Sequence, residues 1–274
     1  MRDSRWPQVR HRAGAAVALL ALALAGCGGS DLSSDGGSSS GSSSNQSAAG
    51  IWSGTDSSSG LSLTAIIDSA GAADFIRSDG LQYVGSVQVD GSTLAATLDG
   101  YTQFGTQFSD GSIAGVGTLN ATVSSGDSIS GTLDFTTSDN SASSSTWTLS
   151  FDAIYNNGSA LSAISGNYTD GSTNDPSNGA TFSISGTGAI TAQNASDGCV
   201  LNGQVTVQNA SYDAYQVAYT LERCSGSYAV LNGIAFTGLA VLNSGVSPSQ
   251  IVMGVSGQDS AGTGYGIVSG LTAN

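Results

Sequence analysis

From Gly50 onward, apolar and polar residues alternate along short runs that are closed by Asp-Gly, Asn-Gly and Ser-Gly pairs. A side-chain period of two fits a pleated strand buried on one face and does not fit a helix. The clearest run is Ile129-Ser130-Gly131-Thr132-Leu133-Asp134-Phe135, in which every bulky side chain has an odd number. Trp147-Thr148-Leu149-Ser150-Phe151-Asp152-Ala153 keeps the same parity, so the two runs read as a hairpin joined by the Ser-rich loop 138–145. No stretch after Gly50 carries a helical period. The pattern predicts an all-β body, either an antiparallel barrel or a sandwich.

That body is internally duplicated. Ser78-Asp79-Gly80, Gly85, Val87 and Val89 recur as Ser196-Asp197-Gly198, Gly203, Val205 and Val207, all at an offset of 118. Ile67 and Gly71 match Ile184 and Gly188 at 117, while Gly50 and Trp52 match Gly166 and Tyr168 at 116. An offset that drifts by single residues is what small loop insertions leave behind. The repeats are expected at 50–160 and 163–274, each supplying about eight strands. Two closed barrels and one large sheet system are both compatible with this pattern.

The first 49 residues differ in kind. Arg2, Arg5, Arg10 and Arg12 precede an apolar run from Ala13 to Leu24 that is too short to span a bilayer, and Leu24-Ala25-Gly26-Cys27 follows. This arrangement resembles the signal peptide and lipobox of bacterial lipoproteins. The resemblance covers residues 1–27 and implies cleavage of 1–26, a diacylglyceryl thioether on Cys27 and a further acyl chain on its amine. Several acyl chains anchor stably where a single one is marginal. Gly28 after the cysteine implies, by that family's sorting habit, the outer membrane. Residues 28–49 hold ten Ser and five Gly, so 27–49 reads as the anchor and a flexible tether.

The body itself resembles uncharacterised two-repeat β-rich lipoproteins of Gram-negative bacteria. Gly166-Asn167-Tyr168-Thr169, Gly198-Cys199, Cys224 and Asn232-Gly233-Ile234-Ala235-Phe236-Thr237-Gly238 carry that likeness. More distantly it is similar to the lipidated β-barrel lobes of transferrin-binding and complement-regulator-binding surface proteins. None of those receptors' functional motifs is matched, so no ligand is implied.

Composition removes whole classes of chemistry. After Cys27 the chain has no Lys and no His, and its only cations are Arg77 and Arg223. Set against 19 acidic residues, they leave a net charge of −17 (2 − 19). Nucleic acid binding needs Lys and Arg in number and is excluded. A Ser-His-Asp relay, a Schiff base and a His metal site are excluded with it. A cationic partner, a divalent cation and a neutral glycan stay open.

Cys199 and Cys224 remain after Cys27 is lipidated, and an exported chain oxidises them. They flank runs 199–208 and 214–223, whose apolar faces pair 201 with 221 and 205 with 217. That register sets 199 opposite 223, so Cys224 must be re-aimed by a bulge or by the strand's end. A bridge across this loop stabilises by about 3 kcal/mol.

Asp-Gly pairs at Asp35, Asp79, Asp90, Asp99, Asp110, Asp170 and Asp197 read as turns rather than calcium loops or a two-carboxylate site, since no Asp-x-Asp-x-Asp-Gly run occurs. Tyr212, Tyr215, Tyr219 and Tyr228 could line a glycan or lipid pocket, but Tyr215 and Tyr219 alternate with Val217 and are expected to pack the inner sheet face. Arg77 and Arg223 could hold an anionic ligand, but in so acidic a chain they are expected to pair with surface Asp. The sequence points to an outer-membrane lipoprotein that acts as a non-catalytic binding or envelope-surface module, without cofactor or metal. The alternatives are a lipocalin-like carrier of an apolar ligand and an Asp-dependent hydrolase.

Overall fold

The computed structural model describes residues 44–171, 179–194 and 198–274. They build two closed antiparallel barrels of eight strands each. The first barrel begins with β1 (Gly50–Asp56), β2 (Ser62–Ile67), β3 (Ala72–Arg77) and β4 (Gln82–Asp90). It continues through β5 (Thr93–Tyr101), β6 (Ala114–Ser124), β7 (Ser128–Thr137) and β8 (Ala142–Asp152). Pairing of β8 with β1 closes it, with Phe151 opposite Trp52.

The second barrel begins with β9 (Gly166–Asp170), β10 (Thr181–Ile184), β11 (Ala189–Gln193) and β12 (Val200–Val207). It ends with β13 (Tyr215–Glu222), β14 (Ala235–Asn243), β15 (Gln250–Gln258) and β16 (Gly264–Ala273). Here β9 closes the ring between β10 and β16. Closure leaves no free edge in either sheet, which removes the usual route to edge-on aggregation.

Alternation does what the sequence implied. In β7 and β8, Ile129 faces Leu149 and Gly131 faces Trp147 across the pair. Ile129, Leu133, Phe135, Trp147 and Leu149 are buried in one cluster that fills the first barrel. A second cluster, including Phe182, Leu201, Tyr215, Tyr219 and Phe236, fills the other. The loop between β7 and β8 is shorter than expected, because β8 starts at Ala142 and takes up the serines. Outward-facing serines on a strand and serines in a loop look alike in composition.

The repeat is structural down to single hydrogen bonds. Gly71 and Gly188 both adopt positive φ, at 90° and 84°. Their carbonyls accept from the matching amides of Val87 and Val205, at 2.8 and 2.7 Å. The Trp52 indole donates to the Ala48 carbonyl at 2.9 Å. Its counterpart Tyr168 donates its hydroxyl to the Ile164 carbonyl at 2.8 Å, again four residues back. Each barrel thus stitches its first strand to the chain that enters it through one buried aromatic.

Residues just before Gly50 are also bound to the first barrel. Asn45 donates to the Val89 carbonyl and accepts from Gly91, while the Gln46 amide bonds the Gly91 carbonyl. Ala48 is buried. Residues 44–49 are therefore a strap across the first barrel, not the end of a tether. The segments expected to be a signal peptide (1–26) and a tether, together with Cys27, lie outside the described residues up to 43, as do Asp35 and Asp197.

Short helical turns occupy Ala153–Asn157, Leu161–Ile164 and Gly226–Leu231. The first, capped by the Asp152 carboxylate, and the second connect the two barrels. Each is too short to show a helical period in sequence.

Of the described Asp-Gly pairs, three are turns, with φ of 86° at Gly80, 59° at Gly91 and 88° at Gly111. Asp99-Gly100 and Asp170-Gly171 are not. Gly100 lies in the body of β5 opposite Tyr83, where a Cβ would sit 2.4 Å from the Phe135 ring. Asp170 ends β9 and is buried.

The barrels pack side against side through β2–β5 of the first and β14–β16 of the second. Gly264 and Gly266 allow the close approach: a Cβ at Gly264 would lie 2.1 Å from the Tyr101 ring. Gln82, fully buried, donates to the Val255 carbonyl at 2.9 Å. Gln103 accepts from the Val268 amide at 3.0 Å. Ile51, Ile66, Ile76, Leu239 and Val241 form an apolar seam between the two.

Candidate functional site

Cys199 and Cys224 are joined by a disulfide. Leu201 faces Leu221 and Val205 faces Val217, the register their apolar faces require. The re-aiming of Cys224 is accomplished by Arg223, which takes φ of 60° just after β13 ends at Glu222. Both sulfurs are buried in the core of the second barrel. The bridge is therefore a staple. In the first barrel the position of Cys199 is taken by Leu81, also buried.

At the matching end of the first barrel, Arg77 holds two carboxylates. Its Nε and Nη2 donate to Asp79 at 2.9 and 2.8 Å, and Nη1 donates to Asp56 at 3.0 Å. Burial would raise the Asp56 pKa, but hydrogen bonds from Ser145, Ser58 and Arg77 outweigh it and hold the group at about 2. The arrangement closes the barrel end and leaves the guanidinium committed to protein carboxylates. No ion pair joins Arg223, which is exposed, among the described residues.

The aromatic set divides. Tyr215 and Tyr219 are core residues of the second barrel. Tyr212 stacks on Tyr155 at 4.6 Å and 9°, and Tyr228 packs on Phe104 at 5.2 Å. The four do not line one pocket.

Two clefts flank the junction of the barrels. One, of about 420 Å³, is lined by polar and apolar residues including Ser62, Thr64, Asp79 and Val252. The other, of about 430 Å³, is walled by Ala72, Val84 and Gly85 of the first barrel. The second barrel contributes Gln204, Thr206, Gln216, Thr237, Leu239 and Ser256. Asp74 is the one carboxyl among the residues lining it.

Asp74 is the residue that sequence reasoning missed. On β3 it faces away from the first barrel's interior, between Ile66 of β2 and Val84 of β4. Its carboxyl lies against Gly254 of β15, so close that a Cβ there would be 2.2 Å from Oδ2. It is 1% exposed, and neither oxygen has a hydrogen-bond partner. Burial pushes its pKa up to about 8. Its counterpart in the second repeat, Thr191, is exposed. A polar residue at an even position of an alternating strand reads as solvent-facing, and no local signal shows that a second barrel covers it.

A second buried carboxyl, Asp213, precedes β13. Burial raises it to about 7 despite a hydrogen bond from the Leu242 amide. Among the described residues no group of three His, Cys, Asp or Glu could hold a metal ion. A scan against models of known protein families finds no match, and a search of curated proteins finds none.

Proposed function

We propose that this chain is an outer-membrane lipoprotein, held to the membrane by acyl chains on Cys27, whose twin barrels act as a non-catalytic binding or envelope-surface module. The carrying observation is that both barrels are packed solid. Trp52, Phe75 and Trp147 fill the first and are at most 1% exposed, and the second is filled in the same way by Phe182, Tyr215 and Phe236. A carrier of an apolar ligand needs an open lumen, which these side chains occupy. What remains for recognition is the outer surface and the clefts beside the junction.

The carboxyl placement favours binding over hydrolysis. A two-carboxylate hydrolase holds its pair on either side of the scissile bond. Each junction cleft has a single carboxyl on its lining, Asp74 in one and Asp79 in the other. Asp56 and Asp79 do lie close together, but Arg77 is clamped between them. The charge of −17 on the mature chain steers cationic partners toward it and repels anionic ones.

Cys27→Ala tests the anchor. The variant is expected to accumulate as an unprocessed or soluble precursor in fractionated cells, without acyl chains by mass spectrometry. Recovery of the same acylated, membrane-bound mature form from that variant would refute the assignment.

A further inference from the structure

The packing of the first barrel stops short of one end. Along β8 the inward positions run Leu149, Trp147, Ser145 and Ser143, the last two opposite Leu133 and Phe135 of the core. Apolar side chains thus give way to hydroxyls toward the start of the strand. The result is a recess of about 150 Å³ at the barrel mouth, beside the Arg77 clamp. Leu81, Leu133 and Phe135 belong both to its lining and to the core beneath it. Phe108, on the loop between β5 and β6, walls one side and packs against Phe135 at 5.4 Å. Asp110 holds that loop in place by accepting from the hydroxyls of Ser112 and Thr137.

The charges at the mouth are spent. Asp56 accepts from Ser58, Ser145 and Arg77, and Asp79 is held by two nitrogens of the same guanidinium. Neither carboxylate is left to take a cation. The guanidinium in turn faces two anions, in a mature chain whose charge of −17 repels anions.

What is free is hydroxyl. Tyr83 is 4% exposed and lines the recess, and its hydroxyl makes no hydrogen bond among the described residues. The Tyr155 hydroxyl and the Trp147 Nε1 also lack partners, but those atoms are sealed from the surface, and the Tyr83 hydroxyl is not. Ser109, Ser141 and Ser143 add exposed rim hydroxyls that bond nothing among the described residues. The fold does not require the Tyr83 hydroxyl. Its counterpart in the second repeat, at the offset of 118, is Leu201, which is just as buried.

We propose that the mouth of the first barrel binds one neutral pyranose ring, free or at the end of a glycan. A C–H face of the sugar lies against Phe108, and its hydroxyls bond Tyr83 and the serine rim. The proposal deepens the binding-module reading and rests on it.

Size and chemistry agree. A cavity of about 150 Å³ holds a molecule the size of benzene, so the recess admits one six-membered ring. The electron-rich face of a phenyl ring attracts polarised C–H groups. Hydroxyls both donate and accept, which matches the hydroxyls of a sugar. The recess also opens away from the strap. Asn45 and Gln46 bind the β4–β5 turn, whereas the recess is lined by Leu81 and Ser141 at the opposite ends of the hairpins. A ligand therefore reaches it from the side opposite the chain's entry.

Saturation-transfer NMR of the full-length protein, in a detergent without a sugar headgroup, tests this. The probes are methyl β-D-glucopyranoside, methyl β-D-galactopyranoside and methyl α-D-mannopyranoside. At least one is expected to bind saturably at millimolar concentration. Tyr83→Phe keeps the ring and should weaken that binding about three- to tenfold, the worth of one hydrogen bond. Phe108→Ala should weaken it by a similar factor through the lost ring face. Tyr212→Phe, in the stack with Tyr155, should leave it unchanged. The matching disaccharide (cellobiose, lactose or mannobiose) bound as well as the glycoside marks a glycan end, and its exclusion marks a free sugar. No saturable signal from any of the three probes would overturn the proposal. So would equal affinity in wild type, Tyr83→Phe and Phe108→Ala, or methyl β-D-glucuronide bound more tightly than all three neutral probes. None of those results bears on Cys27 acylation, so failure here is distinct from failure of the anchored-module reading.

Discussion

Trp52→Ala is expected to lower stability by about 3–5 kcal/mol, among the largest losses any single substitution in the first barrel can cause. Two effects add. The indole is fully buried and packs edge-on against Phe151 at 5.2 Å, so its removal opens a cavity. Its Nε1 also ties the Ala48 carbonyl, so the strap 44–49 loses a fixed point. Trp147 provides the contrast. It is equally buried, against Phe75 and Tyr83, but its Nε1 has no partner. Trp52→Phe should therefore cost about 1–3 kcal/mol for the orphaned carbonyl, whereas Trp147→Phe deletes an unsatisfied donor and should cost clearly less. Urea unfolding followed by circular dichroism gives the comparison. Equal losses for the two Phe variants would mean the Ala48 bond contributes nothing.

Asp74→Asn is expected to stabilise the protein, and increasingly so as pH rises. In the unfolded chain the carboxyl ionises near its ordinary value of 3.8, but in the fold it keeps its proton up to about pH 8. Between those values the folded state binds more protons, so stability falls as pH rises across the window. Each unit costs about 1.4 kcal/mol, and the loss is complete above pH 8. The variant should match wild type near pH 4 and draw ahead by that amount per unit. Asp213, held up to about 7, adds a slope of its own below neutrality in both proteins. The interval from pH 7 to 8 therefore isolates Asp74. Parallel pH profiles for wild type and variant there would show that the carboxyl is already ionised in the fold.

Much of this architecture is legible in the chain because strands buried on one face write their register into the sequence. Leu201 opposite Leu221 and Val205 opposite Val217 follow from parity alone. Ile129 opposite Leu149 does too. The duplication is legible because Gly71 and Gly188 serve one left-handed turn, and Trp52 and Tyr168 one backward hydrogen bond. Local signals fail where the reason for a residue lies in another part of the fold. Gly100 is there for the Phe135 ring, not for a turn. Gly264 is there for Tyr101 of the other barrel. Asp74 looks like any outward polar residue until the second barrel is placed over it. Arg223 is a non-glycine at positive φ, which only the demand of the disulfide explains. The proposed anchor rests on a different kind of signal, the spacing of basic, apolar and small residues before Cys27, which does not depend on the fold.

The measurement that bears most directly on a non-catalytic role is turnover by the folded, full-length protein on panels of glycans, esters and peptides. With no His or Lys after Cys27, any hydrolysis would have to run through carboxylates and titrate with them. No rate above the uncatalysed blank is expected. A saturable hydrolysis rate that a single Asp→Asn change abolishes, with circular dichroism and unfolding unchanged, would contradict it and make this protein an enzyme.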